Sequence, residues 1–519
     1  MLTTGLFRRK SLDQLVNETA DPKNQLRRTL GPLQLTMLGV GAIVGAGIFS
    51  TPGTAAAGGA EHIGAGPALV ISFLLVAVAC GFAALCYSEF AAMVPVSGSA
   101  YTYAYATLGE LAAWLIGWDL ILEYAISNAA VAVSWSGYFQ VLLDGLHLHM
   151  PNWLGTDFRS ALQAAAQVAG APAAHLDPGK LDPSVLHDAM AWQTAPQLAG
   201  LRIIFNLPAF GIVMLVTWIV LIGIRETARF NTALVIGKLA IVVFFLVLGS
   251  MYVLPENWTP FAPNGLKGIS SAAAIIFFAY IGFDAVSTAA EETRNPQRDM
   301  PIGIIASLII CTVLYIAVTI VLTGMVPYNQ IDVDAPVAQA FERVGLRWGQ
   351  LIISFGAVAG ITSVMLVLML SQPRVLLAMA RDGLLPESFF GAVHPRFRTP
   401  WKSTILTGLL VGAMAAFIPL GILAELVNIG TLLAFVIVCI AVLVMRYLHP
   451  QAERPFRCPW VPLIPVLGVL CCLLLMFSLP SENWLRLFIW MLAGMLIYFL
   501  YGRHHSTMAQ RRRSGLHDG

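Results

Sequence analysis

Charged residues are scarce in this sequence: they make up 11% of 519 residues, against about 25% in an ordinary soluble domain. So few charges cannot cover the surface of a water-soluble fold of this length. Cysteine is sparse and scattered. Cys80, Cys86, Cys311, Cys439, Cys471 and Cys472 fall in apolar runs, where they act as small hydrophobes, and Cys458 falls in an expected loop. No disulfide or metal framework is spelled out. The short alternating segments of a transmembrane barrel are missing. Residues 1–28 are charged from Arg8 to Arg28 with no apolar core between, so a cleavable signal is not expected and the first apolar segment should itself direct insertion. No nucleophile triad, ligand set or phosphate loop points to an enzyme, and neither a cofactor nor a nucleic-acid partner is expected.

What is present is a series of long uncharged runs, among them Thr29 to Ala60, Ile63 to Ser88, Met300 to Ile331 and Trp348 to Pro373. Each can cross a bilayer, which takes about 20 apolar residues in a helix. Backbone in hydrocarbon must satisfy its own hydrogen bonds, so the runs are expected to be helical. Twelve helices are placed near 32–53, 66–92, 100–143, 203–222, 229–253, 268–290, 301–327, 348–380, 402–418, 423–446, 462–480 and 484–502. The third is too long for one perpendicular span. It must tilt, extend beyond the bilayer, or break near Asn128 to Ser136; it is read as one helix. With a cytoplasmic amino terminus, only Arg159, Lys180, Arg202, Lys267, Arg343, Arg347 and Arg486 fall outside, and Lys238 alone within the membrane. The positive-inside rule therefore puts both termini in the cytoplasm. Residues 144–202, with His147, His149, His175 and His187, read as a partly helical outer cap; the histidine spacing matches no usual metal site.

Two segments should not be ordinary helices. Gly39, Gly41, Gly45 and Gly47 crowd the centre of the first, and each weakens a helix by about 1 kcal/mol relative to alanine. Gly41 and Gly45 suit close helix packing. The triplet Gly45-Ala46-Gly47 goes further and suggests an unwound midpoint, whose free N–H and C=O groups would receive a zwitterion inside a lined cavity. The sixth segment carries Phe277 to Ala285 at its middle, with Gly282 and Asp284 among aromatics. It stands where the glycine run stands if segments six to ten repeat one to five with inverted topology.

These residues resemble the amino acid-polyamine-organocation superfamily, specifically bacterial members of its cationic amino acid transporter branch, nearly full length through the tenth helix. The resemblance rests on Gly41 to Phe49, Gly117 to Tyr124, Phe277 to Asp284 running into Glu291 to Arg298, and Ser371 to Arg374 followed by Met379 to Pro386. It implies an all-α integral membrane protein of 12 transmembrane helices: a five-plus-five inverted repeat with broken helices one and six, over 32–253 and 268–446, then two peripheral helices over 462–502. Cytoplasmic segments 1–31 and 503–519 flank these, in a bacterial inner membrane. The implied substrate is a small neutral or cationic amino acid, moved by alternating access. Its carboxylate would sit on the amides around Gly45, Ala46, Gly47 and Ile48. Its ammonium would meet carbonyls near Ile43, Phe278, Ala279 and Ile281, and Phe283 would gate its side chain. Relatives often have Ser or Thr where this chain has Ala46, so side-chain selectivity does not carry over. Any accessory subunit stays open.

An ionisable group at the bilayer centre costs about 2.5–3.5 kcal/mol even on the lenient insertion scale. Asp119 and Glu123 share a helix face four residues apart, where two ionised carboxylates repel. Glu123 therefore reads as a proton carrier, while Asp119 reads equally as a solvated charge near an interface. Lys238, inside the fifth helix, either snorkels or is buried. In the resembling family a lysine here occupies the region where sodium-coupled relatives bind sodium, which implies the proton as coupling ion. Exchange without net proton coupling is the alternative. Asp284 would attract a cationic side chain or bond freed amides. Glu291, Glu292, Arg294 and Arg298 are expected to form a cytoplasmic salt-bridge cluster.

Overall fold

The structure, a computed structural model, describes residues 8–10, 28–58, 63–96, 98–170, 183–198, 200–332 and 335–513. Its described residues are overwhelmingly helical, and strand is confined to isolated bridges and a two-residue ladder, Gln197–Leu198 against Leu201–Arg202. Eight helices are long and apolar enough to cross a membrane, and the bent pair Pro32–Ile43 and Ala46–Ala57 adds a ninth if it is one span. Shorter apolar helices, Leu207–Ile222, Trp401–Phe417 and Leu463–Phe477, stand at the fourth, ninth and eleventh expected positions. The fold is turned outward as a bilayer requires. Large apolar side chains such as Leu74, Leu470, Phe477 and Phe488 are exposed, while Glu89, Asp119, Glu123 and Lys238 are buried.

The third segment departs from expectation. It is not one helix, and it does not break between Asn128 and Ser136. Helix Ala100–Thr107 ends first, and a second helix runs unbroken over Glu110–Gly145. Gly109 makes the break: its φ of +103° is open to glycine without a side-chain clash, and its N–H folds back onto the Ala104 carbonyl at 3.0 Å. The second helix rises about 54 Å, beyond a hydrocarbon core of about 30 Å.

Glu110–Gly145 packs most extensively against Arg347–Arg381, and Leu69–Met93 against Pro296–Met325. Both interfaces join segments five places apart in the chain. The first and sixth segments are also joined at their ends: the Thr29 and Leu30 N–H groups donate to the Glu292 carbonyl at 2.8 and 3.0 Å, and the Arg294 N–H donates to the Leu30 carbonyl at 2.9 Å. The cap is helical over Phe158–Gly170 and Pro183–Thr194, around a small core of Ala161, Ala191, Ala195 and Ile204. His175 and Lys180 lie outside the described residues. His149 meets Asp144 and His187 meets Asp188, in separate pairs.

The expected local salt-bridge cluster is not what forms. Glu292 pairs with Arg374 at 2.8 Å and Glu291 with Arg381 at 3.4 Å, both arginines on the helix Arg347–Arg381. Arg294 and Arg298 are exposed instead. Tertiary packing brings partners that sequence neighbours cannot match, because both glutamates face inward. A second polar staple centres on Glu89. Its carboxylate accepts from Arg446 Nε and Nη2 at 3.0 and 2.7 Å and from the Cys458 N–H at 2.7 Å, with Arg454 Nε 3.2 Å away. This ties helix Leu69–Met93 to helix Leu420–Leu448 and to the loop after it. Glu89→Ala is expected to cost about 3 kcal/mol, the low end for a broken buried pair, since Arg446 retains 28% exposure. Glu482→Ala, at a carboxylate 78% exposed, is expected to leave thermal unfolding of the detergent-purified protein unchanged.

Candidate functional site

The first segment is broken where its glycines crowd. Helix Pro32–Ile43 stops, Val44 is extended at φ −77° and ψ 99°, Gly45 is extended at φ −164°, and a new helix begins at Ala46. The two halves meet at 50°. The sixth segment is broken too. Its α-helix Gly265–Ile276 tightens to 3₁₀ over Phe277–Tyr280, turns through Gly282 at φ +118°, and resumes as 3₁₀ over Asp284–Glu292. The breaks touch. A Cβ on Gly47 would lie 2.6 Å from Ala279 Cα, and one on Gly282 would lie 2.8 Å from Ala42 Cβ. Packing and unwinding, the two readings of the glycine run, both hold: a Cβ on Gly45 would collide with Val364 at 2.3 Å.

The break leaves first-turn amides at Gly45, Ala46 and Gly47 without an acceptor earlier in their own helix. Ile48 was expected to join them, but its N–H turns back onto the Gly45 carbonyl at 3.0 Å. Among the freed carbonyls, those of Ile43 and Ala279 both face the hydroxyl of Tyr315, at 2.6 and 2.7 Å. One hydroxyl carries one hydrogen, so it serves one carbonyl at a time.

Between the breaks lies a small cavity of about 10 Å³, room for about one water. Of the residues the sequence singled out for substrate, Ile43, Ala46, Gly47, Phe278 and Ile281 line it. Ala42, Ser127, Val131, Val364 and Leu368 complete the wall and were not anticipated. Ser127 was findable, since it continues the face of Asp119 and Glu123 at four-residue spacing. Val364 and Leu368 carry no sequence signal, because they look like any other core positions of a long apolar helix. Gly45, Ile48, Ala279, Phe283 and Asp284 do not line the cavity. Phe283 packs in an aromatic cluster with Tyr87 and Phe435, at centroid separations of 5.9 and 4.9 Å.

The buried charges are placed as follows. Lys238 does not snorkel: it is fully buried. Its Nζ donates to the carbonyls of Gly41 and Val44 at 3.0 and 2.5 Å and to Ser363 Oγ at 2.6 Å. Three oxygens meet the three N–H groups of an ammonium, at the carboxyl end of a half-helix, where the helix dipole favours a cation. Asp119 is not at a solvated interface. It is buried against Gly430, and neither of its oxygens has a hydrogen-bond partner among the described residues. Glu123 lies beside Thr431, whose hydroxyl donates to the Val427 carbonyl at 3.1 Å, and both Glu123 oxygens also lack a hydrogen-bond partner among the described residues. Asp284 accepts from Tyr124 at 2.8 Å and from the Gly282 N–H at 3.2 Å, the local bonding that was one of its two expected roles. Among the described residues no group of three His, Cys, Asp or Glu side chains is placed to hold a metal ion.

A multi-pass helical bundle whose two broken helices meet across a small central cavity has the architecture of a solute permease. Residues 30–504 match the amino acid permease family, and the chain belongs to that family, within the amino acid-polyamine-organocation superfamily. It is similar to a methylthioribose transporter of Bacillus subtilis, 48% identical over 97% of this chain and 99% of the relative. It is also similar to the branched-chain amino acid permease BcaP of the same organism, 47% identical over 98% of this chain and 99% of the relative. A vacuolar cationic amino acid transporter of Arabidopsis thaliana is 31% identical over 97% and 96%. The protein is accordingly a membrane transporter and not an enzyme.

Contact between the two breaks gives a direct test. Gly47→Ala is expected to abolish saturable amino acid uptake into proteoliposomes, because the added methyl meets backbone at 2.6 Å. Gly81→Ala, where a Cβ would meet nothing within 4 Å, is expected to transport normally.

Proposed function

We propose that this permease is a secondary active carrier that moves a small neutral amino acid with an aliphatic side chain together with a proton, by alternating access. The observation that carries the reading is the cavity wall. Ala46 and Gly47, at the start of the second half-helix, line it together with Val131, Phe278, Ile281, Val364 and Leu368, whose side chains are hydrocarbon. Amides at a helix start attract a carboxylate. The carbonyls of Ile43 and Ala279, which share a single Tyr315 hydrogen, offer acceptance to an ammonium. A cavity this small must widen to admit substrate.

A cationic substrate is the second reading. Glu123 lies one helical turn, about 6 Å, beyond Ser127 of the cavity wall, with both oxygens unpartnered. Among the relatives, one is named for branched-chain and several for cationic amino acids, and one for methylthioribose. A thermal-shift screen of the twenty amino acids separates the readings: stabilisation by valine, leucine or alanine supports the first, and stabilisation by arginine or lysine alone overturns it.

For coupling, Lys238 and Glu123 are the residues we assign. The ammonium of Lys238 ties the end of the first half-helix to Ser363, and loss of its proton would remove a donor and a charge from that junction. Lys238→Ala is expected to abolish accumulation driven by an imposed pH gradient. Glu123→Gln is expected to flatten the pH profile of uptake. Wild-type accumulation by either variant removes that residue from the role, and failure of the wild type to accumulate under a pH gradient favours the exchanger.

The twelve apolar segments are assigned as twelve spans, with both termini in the cytoplasm of a bacterial inner membrane and a five-plus-five inverted repeat over 32–253 and 268–446. The pairing of segments one with six, two with seven and three with eight supports the repeat.

A further inference from the structure

A second concavity, separate from the one between the breaks, lies on the outer surface of the bundle. Helix Pro296–Met325 forms one wall, and Pro455 and Phe456, in the loop over residues 449–462, form the other. Its volume is about 610 Å³, within the range of small-molecule sites. Ile302, Ile305 and Ile309 line its length, and Gln297 and Arg298 stand at one end. Ile302 and Ile309 are 40% and 59% exposed on a helix apolar enough to span a membrane, so the groove opens toward hydrocarbon.

We propose that this groove binds one anionic phospholipid, with the headgroup phosphate on Arg298 and an acyl chain along the isoleucines. Three observations converge. From Arg298 to Ile309 the helix rises about 16 Å, half of a hydrocarbon core of about 30 Å, so the groove is one leaflet deep. Its only charged lining residue is Arg298, which is exposed and has no ion pair among the described residues. The acids expected beside it, Glu291 and Glu292, are taken by Arg381 and Arg374. An unneutralised guanidinium at a membrane surface attracts anionic headgroups. A zwitterionic lipid brings its own cation and needs no such partner. A soluble anion would gain nothing from the isoleucine wall.

The loop wall is held in place by the Glu89 staple through Arg446 and the Cys458 amide. A lipid in the groove would therefore bridge a fixed loop to the helix that carries Tyr315.

Native mass spectrometry of the detergent-purified protein with equimolar phosphatidylglycerol and phosphatidylcholine tests the proposal. The wild type is expected to retain phosphatidylglycerol about fivefold over phosphatidylcholine, the ratio for about 1 kcal/mol per arginine near an anionic surface. Arg298→Ala is expected to bring the ratio to about one, and Arg298→Lys to preserve the preference. Ile305→Trp, which fills the groove and leaves the charge, is expected to lower retention of both lipids. Unaltered amino-acid-induced thermal shifts will report that each variant is folded. A wild-type ratio near one, an undiminished preference in Arg298→Ala, or equal stabilisation by inorganic phosphate alone would each overturn the assignment.

Discussion

The ammonium of Lys238 is the contact on which the central architecture depends. A helix broken in the middle of a bilayer exposes carbonyls that neither water nor lipid can satisfy. Lys238 supplies donors to two of them, at Gly41 and Val44, and reaches Ser363 on the helix Arg347–Arg381 with the third. One side chain thus fixes the end of the first half-helix, its bend, and its distance from the scaffold. Tyr315 plays a parallel part at Ile43 and Ala279, where it joins the two breaks to each other. With these two donors in place, glycine at 47 and 282 lets the breaks approach to backbone contact.

Around this junction the protein collects polar groups of unequal standing. Asp284 is engaged by Tyr124 and a backbone amide, whereas Asp119 and Glu123 have no hydrogen-bond partner among the described residues. A buried carboxylate without a donor is costly in its charged form. Glu123 lies within electrostatic reach of both other acids, so three carboxyl groups share one apolar region with no basic side chain bonded to any of them. That arrangement differs in kind from the periphery, where Glu89, Glu291 and Glu292 all pair with arginines. The paired acids hold helices together. The unpaired ones sit along the helix face that continues into the cavity wall at Ser127.

Much of this was legible in sequence because the bilayer leaves few choices. Long uncharged runs must become helices. Four glycines in nine residues forecast the first break, and Phe277 to Ala285 forecast the second. Lys238 and Glu123 stood out because ions are rare in such runs. Local turns were harder to read. Gly109 ends one helix through a backbone angle, a signal carried by a single residue, and the third segment had been read as one helix. The amide of Ile48 was misassigned because a helix restarts within three residues of a break and takes back its own donors. The neighbours of Phe283 were not legible because the direction of a side chain in an irregular turn depends on what packs against it, here Tyr87 and Phe435.

The sequence alone determined the membrane setting, the helical class and the positions of both breaks, since each follows from hydropathy or from glycine's backbone freedom, which are properties of residues and near neighbours; its motifs carried the family resemblance. Tertiary structure alone decided which oxygens receive the Lys238 ammonium, that Tyr315 bridges the breaks, that Val364 and Leu368 face the cavity, and that Arg374 and Arg381 take the glutamates expected to bind Arg294 and Arg298. Those outcomes join residues far apart in the chain. They are set by which helices pack together, and one apolar helix face looks much like another until its partner is in place.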